Sequence, residues 1–184
     1  MTAEELTIPE LTSKFPAVVS ESEADTASIA SALAGEVYGG LFVILSGEIG
    51  AGKTVLVRAM ALSLGVEGVK SPTFATEYVY RVPGKNFGLV HADLYRFDCV
   101  AFGSDAAMQF EEYLSEGENL LLAEWGERWE TPPVSDGWRI EISSPGGPDS
   151  DDVRVFSFDA FGERAHRSLA AAYEKILGML RPCL

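Results

Sequence analysis

One short segment constrains this chain more than any other part of its sequence. Residues 47–54 read Gly-Glu-Ile-Gly-Ala-Gly-Lys-Thr and have the spacing G-x-x-x-x-G-K-[ST]. An apolar segment, 41–46, precedes them, and an amphipathic segment, 53–64, follows them. A strand, a glycine loop and a helix in this order are typical of a phosphate-binding loop, whose backbone N–H groups surround the anion. The alternative is a glycine-rich turn that only joins a strand to a helix.

The residue types in this segment explain its expected chemistry. Glycine permits backbone angles and close approaches that a Cβ would block. The start of the following helix adds unpaired N–H groups and the positive end of the helix dipole. In this pattern Lys53 reaches the β- and γ-phosphates, and the Thr54 hydroxyl holds Mg²⁺. The segment therefore predicts nucleotide binding.

Composition indicates a globular protein without membrane contacts. The chain has 184 residues, 47% of them hydrophobic, and we interpret 1–184 as a single nucleotide-binding domain with a loose lead-in over 1–14. No apolar run reaches the roughly 18 residues that a membrane span needs, and the acidic N-terminus lacks the apolar core of a signal peptide, so we expect a cytoplasmic protein. The net charge of −14 argues against broad, unaided binding to a nucleic-acid backbone. The acidity fits either solubility or docking on a basic protein partner.

The order of periodic segments predicts an α/β fold. Strand-like segments lie at 15–20, 41–46, 74–82, 87–92, 119–124, 138–142 and 153–158, and helical segments lie at 22–37, 53–64, 105–114 and 162–180. A turn at Pro83–Asn86 joins two of these strands as a β-hairpin, which introduces an antiparallel pair into the sheet. We therefore predict a P-loop NTPase-like three-layer sandwich with a mixed central sheet. The apolar stripe predicted for the last helix includes Ile176, Leu177 and Leu180.

Two carboxylates stand at the ends of predicted strands. Asp93 follows the strand at 87–92, and Glu124 ends the strand at 119–124. In open α/β sheets the site lies at the carboxyl ends of the strands, so both side chains could converge on the glycine loop. Phosphoryl chemistry needs such groups for the metal and for the attacking nucleophile. The alternatives are a turn or capping residue for Asp93 and a strand-end ion pair for Glu124.

Other residues near these positions carry less specific signals. Thr73 lies in a Ser-Pro-Thr segment and could sense the γ-phosphate or its metal, or belong to an ordinary loop. Trp125 could pack near the nucleotide or serve as a core or rim aromatic. His91 could act as a base or be a satisfied strand histidine. Tyr95 and Arg96 could reach a phosphate or a partner, or simply form a surface pair.

Four motifs in this order resemble the TsaE family, formerly called YjeE, of bacterial ATPases for threonylcarbamoyladenosine modification of tRNA. They are the loop at 47–54, Val-Lys-Ser-Pro-Thr-Phe at 69–74, His-Ala-Asp-Leu-Tyr-Arg at 91–96 and Ala-Glu-Trp at 123–125. The resemblance covers about residues 20–160. The chain departs from the usual pattern at Glu48, Val55 and Ala92, and none of these departures removes a proposed ligand.

The resemblance implies a specific set of site residues. Lys53, Asp93 and Glu124 would be catalytic, with Asp93 needed for hydrolysis, and Thr54 and Glu124 would bind magnesium. The implied cofactors are ATP and Mg²⁺. The residues implied to contact the nucleotide are Glu23, Gly47, Ile49, Gly50, Ala51, Gly52, Lys53, Thr54, Val55, Thr73 and Trp125.

The resemblance also implies a function for the chain. It would be a weak ATPase that supports the modification of tRNA rather than making the modified base. Its partners would be TsaB-like proteins and TsaD, the catalytic transferase, and it would reach tRNA only through their complex. Two alternatives remain open at this point: a small-molecule kinase and a non-hydrolysing nucleotide switch. No Asn-Lys-x-Asp motif for guanine occurs in the sequence, which favours adenine.

Overall fold

The secondary structure comes from a computed structural model that describes residues 13–72, 77–96, 104–129, 134–146 and 153–180. The strands are β1 Ser13–Ser20, β2 Phe42–Ser46, β3 Glu77–Arg81, β4 Gly88–Asp93, β5 Asn119–Glu124, β6 Gly137–Ser143 and β7 Arg154–Phe161. The helices are α1 Glu23–Ala34, α2 Lys53–Ser63, α3 Asp105–Leu114 and α4 Glu163–Met179, with short 3-10 turns at Ser115–Gly117 and Gly126–Arg128. None of the helices in the described ranges is long and apolar enough to cross a membrane.

The seven strands form one mixed sheet in the order β1-β7-β6-β2-β5-β4-β3. β2 runs parallel to both β5 and β6, and β4 runs parallel to β5. The β3–β4, β6–β7 and β1–β7 pairs are antiparallel. The predicted mixed sheet and its hairpin are therefore confirmed. Since β2, β4 and β5 run in one direction, their carboxyl ends lie at one edge of the sheet.

Helices cover both faces of the sheet and make the predicted three-layer sandwich. One core joins α1, α2 and α4 to alternate strand residues such as Val43, Leu122 and Ile140. The other core lies beneath α3, where Phe110 packs with residues such as Ile44. β2 and β5 are buried on both faces, which explains why their sequences are continuous apolar runs rather than alternating ones.

The first helix begins as its sequence predicts. Ser22 is the N-cap, and its side chain accepts a hydrogen bond from the backbone N–H of Asp25 at 3.2 Å. The Asp25 carboxylate in turn accepts from the backbone N–H of Glu21 at 3.0 Å. These reciprocal bonds satisfy two backbone donors at the helix start and fix Glu23 as the first residue of α1.

Several predicted boundaries differ from the structure. α1 ends at Ala34 rather than Val37, because Gly35 disfavours the helix and the Glu36 N–H bonds back to Leu33 at 3.0 Å in a tighter turn. β1 begins at Ser13, within the predicted lead-in. These shifts leave the order of the elements unchanged.

One predicted core residue is wrong, and two predicted boundaries can be judged only in part. Leu177 is 39% exposed, because it lies about 100° around α4 from the buried Ile176 and so falls outside the packed stripe. β3 begins at Glu77, while 74–76 of the predicted strand lie outside the described residues. The same holds for 147–152 of the connection between β6 and β7.

Candidate nucleotide-binding site

The glycine loop connects the end of β2 directly to the start of α2. Gly47, Gly50 and Gly52 have φ angles of +133°, +83° and +107°. Gly52 caps α2 without a side-chain hydrogen bond. The first N–H groups of a helix have no partner within the helix, so this end can receive an anion. The strand, loop and helix predicted from the sequence are confirmed, and the positive φ angles of the glycines are of the kind that an anion-binding nest uses.

Gly47 is a loop position where a side chain would clash with the neighbouring strand β6. A Cβ added there would lie 2.1 Å from the Ile142 carbonyl oxygen on β6, in addition to the strained positive φ. We expect Gly47→Ala to destabilise the protein by about 2 kcal/mol or more beyond Gly84→Ala, as measured by urea unfolding. Gly84 is a suitable control because it also has positive φ, at +70°, but nothing lies within 4 Å of its added Cβ. Equal destabilisation by the two changes would contradict this account of the loop.

A cavity of about 390 Å³ opens over the loop at the carboxyl edge of the sheet. It is lined by Ile49, Gly50, Gly52, Lys53, Thr54, Val55, Asp93, Tyr95, Glu124 and Trp125. The structure thus brings most of the predicted site residues together around one space. Gly47 and Ala51 belong to the loop but do not line this cavity. Thr73 lies outside the described residues.

The two predicted carboxylates lie side by side on neighbouring strands. Asp93 on β4 pairs in register with Glu124 on β5, because those strands are parallel. The Thr54 hydroxyl at the start of α2 donates a hydrogen bond to Glu124 Oε2 at 2.8 Å. Asp93 Oδ1 accepts a bond from the backbone N–H of Tyr95 at 2.9 Å. Both carboxylates therefore line the cavity, and Glu124 is the one bonded to the start of α2.

Lys53, the first residue of α2, is buried against the glycine loop. Its ammonium donates hydrogen bonds to the carbonyl oxygens of Gly47 at 2.6 Å and Glu48 at 2.9 Å. The same Nζ lies 3.8 Å from the centre of the Trp125 ring, within cation–π range. Burial lowers the pKa of Lys53, and the nearby carboxylates, Glu124 foremost, oppose this effect. The ammonium is thus paired with two neutral carbonyl oxygens and one aromatic ring.

Trp125 sits in an unusual backbone conformation. It directly follows β5 and has φ +59°, in the left-handed region that side chains other than glycine seldom adopt. Its ring packs against Tyr95, with ring centres 5.0 Å apart, and both rings border the cavity. Strain of this kind concentrates at functional sites, where surrounding structure maintains it. Tyr95 thus lines the cavity, and its contact with a phosphate or a partner stays a prediction.

Burial raises the pKa of Asp93. The bond from the Tyr95 N–H works in the opposite direction, the negative charge of Glu124 adds to the rise, and His91 and Lys53 oppose it. A carboxylate with a raised pKa is a stronger proton acceptor than an ordinary one. This property suits a group that takes a proton from a nucleophile.

Glu23 lies on the other side of the loop. A smaller cavity of about 110 Å³ there is lined by Glu23, Thr26, Gly50, Gly52, Val55, Arg154 and Phe156. Arg154 at the start of β7 donates a hydrogen bond from Nε to the Ala51 carbonyl oxygen at 3.1 Å. Sequence analysis did not identify Arg154, because no motif surrounds it and the contact joins positions 103 residues apart.

Comparisons with known proteins identify the family. Residues 20–149 match the family described as "Threonylcarbamoyl adenosine biosynthesis protein TsaE". A protein of Streptomyces coelicolor named tRNA threonylcarbamoyladenosine biosynthesis protein TsaE is 37% identical over 126 residues, which is 68% of this chain and 83% of that protein. A protein of the same name from Aquifex aeolicus is 37% identical over 115 residues, covering 60% and 77% of the two chains.

The fold has a counterpart among solved structures. The crystal structure of a Bacillus protein named YdiB matches with a TM-score of 0.66 at 22% identity, over 90% of this chain and 97% of that one. This likeness supports the P-loop-like α/β fold alone. The family match spans most of the chain and includes the loop, both carboxylates and Trp125. The chain therefore belongs to the TsaE family of tRNA threonylcarbamoyladenosine biosynthesis proteins.

Proposed function

We propose that this protein binds ATP with Mg²⁺, hydrolyses it slowly, and supports threonylcarbamoyladenosine modification of tRNA by acting on a complex of TsaD- and TsaB-like proteins. One observation carries the proposal: the glycine loop, the Thr54–Glu124 pair and Asp93 border a single cavity. A phosphate-binding loop explains nucleotide binding. The two carboxylates supply what hydrolysis requires in addition.

The loop and helix residues would bind the phosphates. Lys53 would exchange its carbonyl contacts at Gly47 and Glu48 for the β- and γ-phosphate oxygens, a stronger charge-assisted pairing. The amides at the start of α2 would donate to the same phosphates. Glu23 borders the cavity on the far side of the loop, where it could contact the nucleoside. The contact from Thr73 stays a proposal that rests on its motif alone.

The Thr54 and Glu124 oxygens suit a magnesium ion. They lie 2.8 Å apart. A hydroxyl and a carboxylate are oxygen ligands of the kind that Mg²⁺ takes, and the Thr54 hydroxyl can rotate its proton away from Glu124 and offer a lone pair to the ion. Magnesium at such sites commonly takes one or two protein oxygens and completes its shell with waters and phosphates. When bound, the ion would neutralise negative charge on the β- and γ-phosphates.

Asp93 is the residue that we assign to the attacking water. It lines the same cavity without contacting the Thr54 hydroxyl, so it can orient water and accept its proton. The raised pKa of Asp93 has a direct consequence for the pH profile. Hydrolysis should decline as the pH falls through this raised pKa, at a higher pH than an ordinary aspartate would give.

Trp125 offers a direct test of nucleotide binding. Phosphate should withdraw Lys53 from the Trp125 ring, so adding MgATP should change tryptophan emission in a saturable way. Trp125→Phe should remove most of this change while calorimetry still detects binding. The other two tryptophans, Trp129 and Trp138, are only 5% and 0% exposed and should contribute little to the change in emission. If Trp125→Phe kept the full change in emission on adding MgATP, that change would come from another tryptophan.

The partners are proposed from the family to which the chain belongs. Its relatives are named for tRNA threonylcarbamoyladenosine biosynthesis, and we propose a cytoplasmic assembly with TsaD- and TsaB-like proteins. A net charge of −14 makes direct capture of tRNA by this chain unfavourable, whereas docking on a basic protein surface is favourable. The tRNA would then be reached through the complex.

A non-hydrolysing switch is the second candidate function. The present contacts of Lys53 favour this candidate, because its ammonium bonds to the Glu48 carbonyl oxygen and lies over the Trp125 ring. ATP binding alone would therefore rearrange these contacts. The two candidates differ in whether turnover of ATP is required. A variant that binds MgATP normally but cannot hydrolyse it separates them, and Asp93→Asn is designed for that purpose.

A further inference from the structure

We propose that His91 is a positioning residue that fixes the Glu124 carboxylate against Thr54 and connects it to the loop at 65–72. The inference rests on the proposed function, because it assigns to Glu124 a role beside magnesium. His91 does not line the cavity, so it would act through Glu124 rather than on the nucleotide. We therefore assign His91 this positioning role rather than that of a catalytic base.

Both carboxylate oxygens of Glu124 have a side-chain partner. His91 on β4 is fully buried, and its Nε2 lies 2.8 Å from Glu124 Oε1. The other carboxylate oxygen, Oε2, accepts from the Thr54 hydroxyl at 2.8 Å. Glu124 itself is 4% exposed, so water cannot readily replace either partner. Both oxygens are thereby fixed in direction, and the imidazole holds the one that faces away from Thr54.

The other ring nitrogen of His91 contacts the loop at 65–72. His91 Nδ1 lies 3.2 Å from the carbonyl oxygen of Lys70, in the loop that leads to the Ser-Pro-Thr segment. Two further bonds anchor the same stretch. The Tyr80 hydroxyl accepts from the Lys70 N–H at 3.1 Å, and Arg58 Nε donates to the Val69 carbonyl oxygen at 3.3 Å.

Together these contacts give His91 a position between two parts of the site. On one side is the carboxylate beside the loop helix, and on the other is the backbone that carries the Ser-Pro-Thr segment. If the ring were lost, Oε1 of Glu124 would be a buried carboxylate oxygen without this partner, which is costly. The carboxylate would then turn away from its present direction. Outer partners of metal ligands typically change metal affinity by about 10- to 100-fold when removed.

Two conservative variants separate the two contacts of the ring. In His91→Gln the side-chain N–H₂ can take the position of Nε2 and donate to Glu124 Oε1. In His91→Asn the shorter side chain can place its N–H₂ at the position of Nδ1 and donate to the Lys70 carbonyl oxygen. Each variant therefore retains one contact and loses the other, while both remain polar and similar in size.

The experiment measures the affinity of a non-hydrolysable ATP analogue by calorimetry, with Mg²⁺ and with EDTA. We expect all variants to bind the Mg-free analogue like the wild type. The affinity gained from Mg²⁺ should fall by about tenfold or more in His91→Asn and by less than about threefold in His91→Gln. Hydrogen exchange of the loop at 65–72, in nucleotide-free protein, should show the reverse order, with faster exchange in His91→Gln. Tyr80→Phe serves as the control that loosens the loop and leaves the Mg²⁺ effect intact.

Each outcome decides between the proposals. A wild type that binds no nucleotide, or binds it without regard to Mg²⁺, contradicts the proposed function. The wild type can show Mg²⁺-dependent binding while His91→Asn and His91→Gln behave alike in both measurements. That result would contradict the role of His91. If a variant fails to fold, ring ¹⁵N spectra of the wild type decide, since the chain has two histidines. Mg²⁺ added to the nucleotide complex should shift the His91 resonances and not those of His166, and equal responses would overturn the inference.

Discussion

Asp93→Asn should leave MgATP binding within about threefold of the wild type and reduce ATP hydrolysis by about 100- to 10,000-fold, the range that general-base catalysis contributes. Asparagine has nearly the same shape as aspartate, and its side-chain oxygen can still accept the bond from the Tyr95 N–H. It cannot take a proton from water. Affinity is measured by calorimetry and hydrolysis by phosphate release, with the exposed Asp105→Asn as a control.

The fold of this variant should be intact. Because burial raises the pKa of Asp93, its charged form costs stability at neutral pH, and this cost declines as the pH falls below the raised pKa and vanishes below the ordinary one. Asparagine removes the charge, so the stability of the variant at neutral pH should equal or exceed that of the wild type. A variant that hydrolyses ATP at the wild-type rate would exclude Asp93 as the base. If it bound MgATP and supported tRNA modification fully without hydrolysis, the switch would be the better description.

Lys53→Met should weaken MgATP binding by about 10- to 150-fold, which corresponds to the 1.5–3 kcal/mol typical of hydrogen bonds to charged groups. Methionine keeps the buried chain length but lacks the ammonium that would reach the phosphates. Lys53 also bonds to the loop carbonyls of Gly47 and Glu48, so thermal unfolding should be followed in parallel. Lys85→Met, in the exposed turn between β3 and β4, is the control for loss of one positive charge. Equal binding by both variants would mean that the phosphates do not contact Lys53.

The sequence allowed the loop to be predicted well because its chemistry is local. Phosphate binding needs glycines, a lysine and a hydroxyl at fixed spacing, and the strand and helix beside them have clear periodicity. Asp93 and Glu124 could be predicted as strand-end carboxylates because the ends of parallel strands share one edge. Each of these inferences depends on residues that are close together along the chain.

Contacts that depend on strand order could not be predicted in the same way. The contact between the His91 imidazole and Glu124 depends on the pairing of β4 with β5, which no local sequence pattern specifies. The bond from Arg154 to the loop requires β7 to return near β2, after β6. His91 therefore remained ambiguous between a base and a strand histidine, and Arg154 was not identified. The end of α1 was misplaced for a different reason, because the apolar stripe continues to Val37 beyond the last helical turn.

We propose that this chain must bind nucleotide to support repeated rounds of tRNA modification. The most direct test is the time course of threonylcarbamoyladenosine formation on tRNA by TsaD- and TsaB-like proteins of the same organism, with ATP and the threonylcarbamoyl donor. We predict continued product formation when this chain is present. The reaction should stop after a single round when the chain is omitted or replaced by Lys53→Met. Continued formation at the full rate with Lys53→Met, under conditions where that variant binds no nucleotide, would contradict the account.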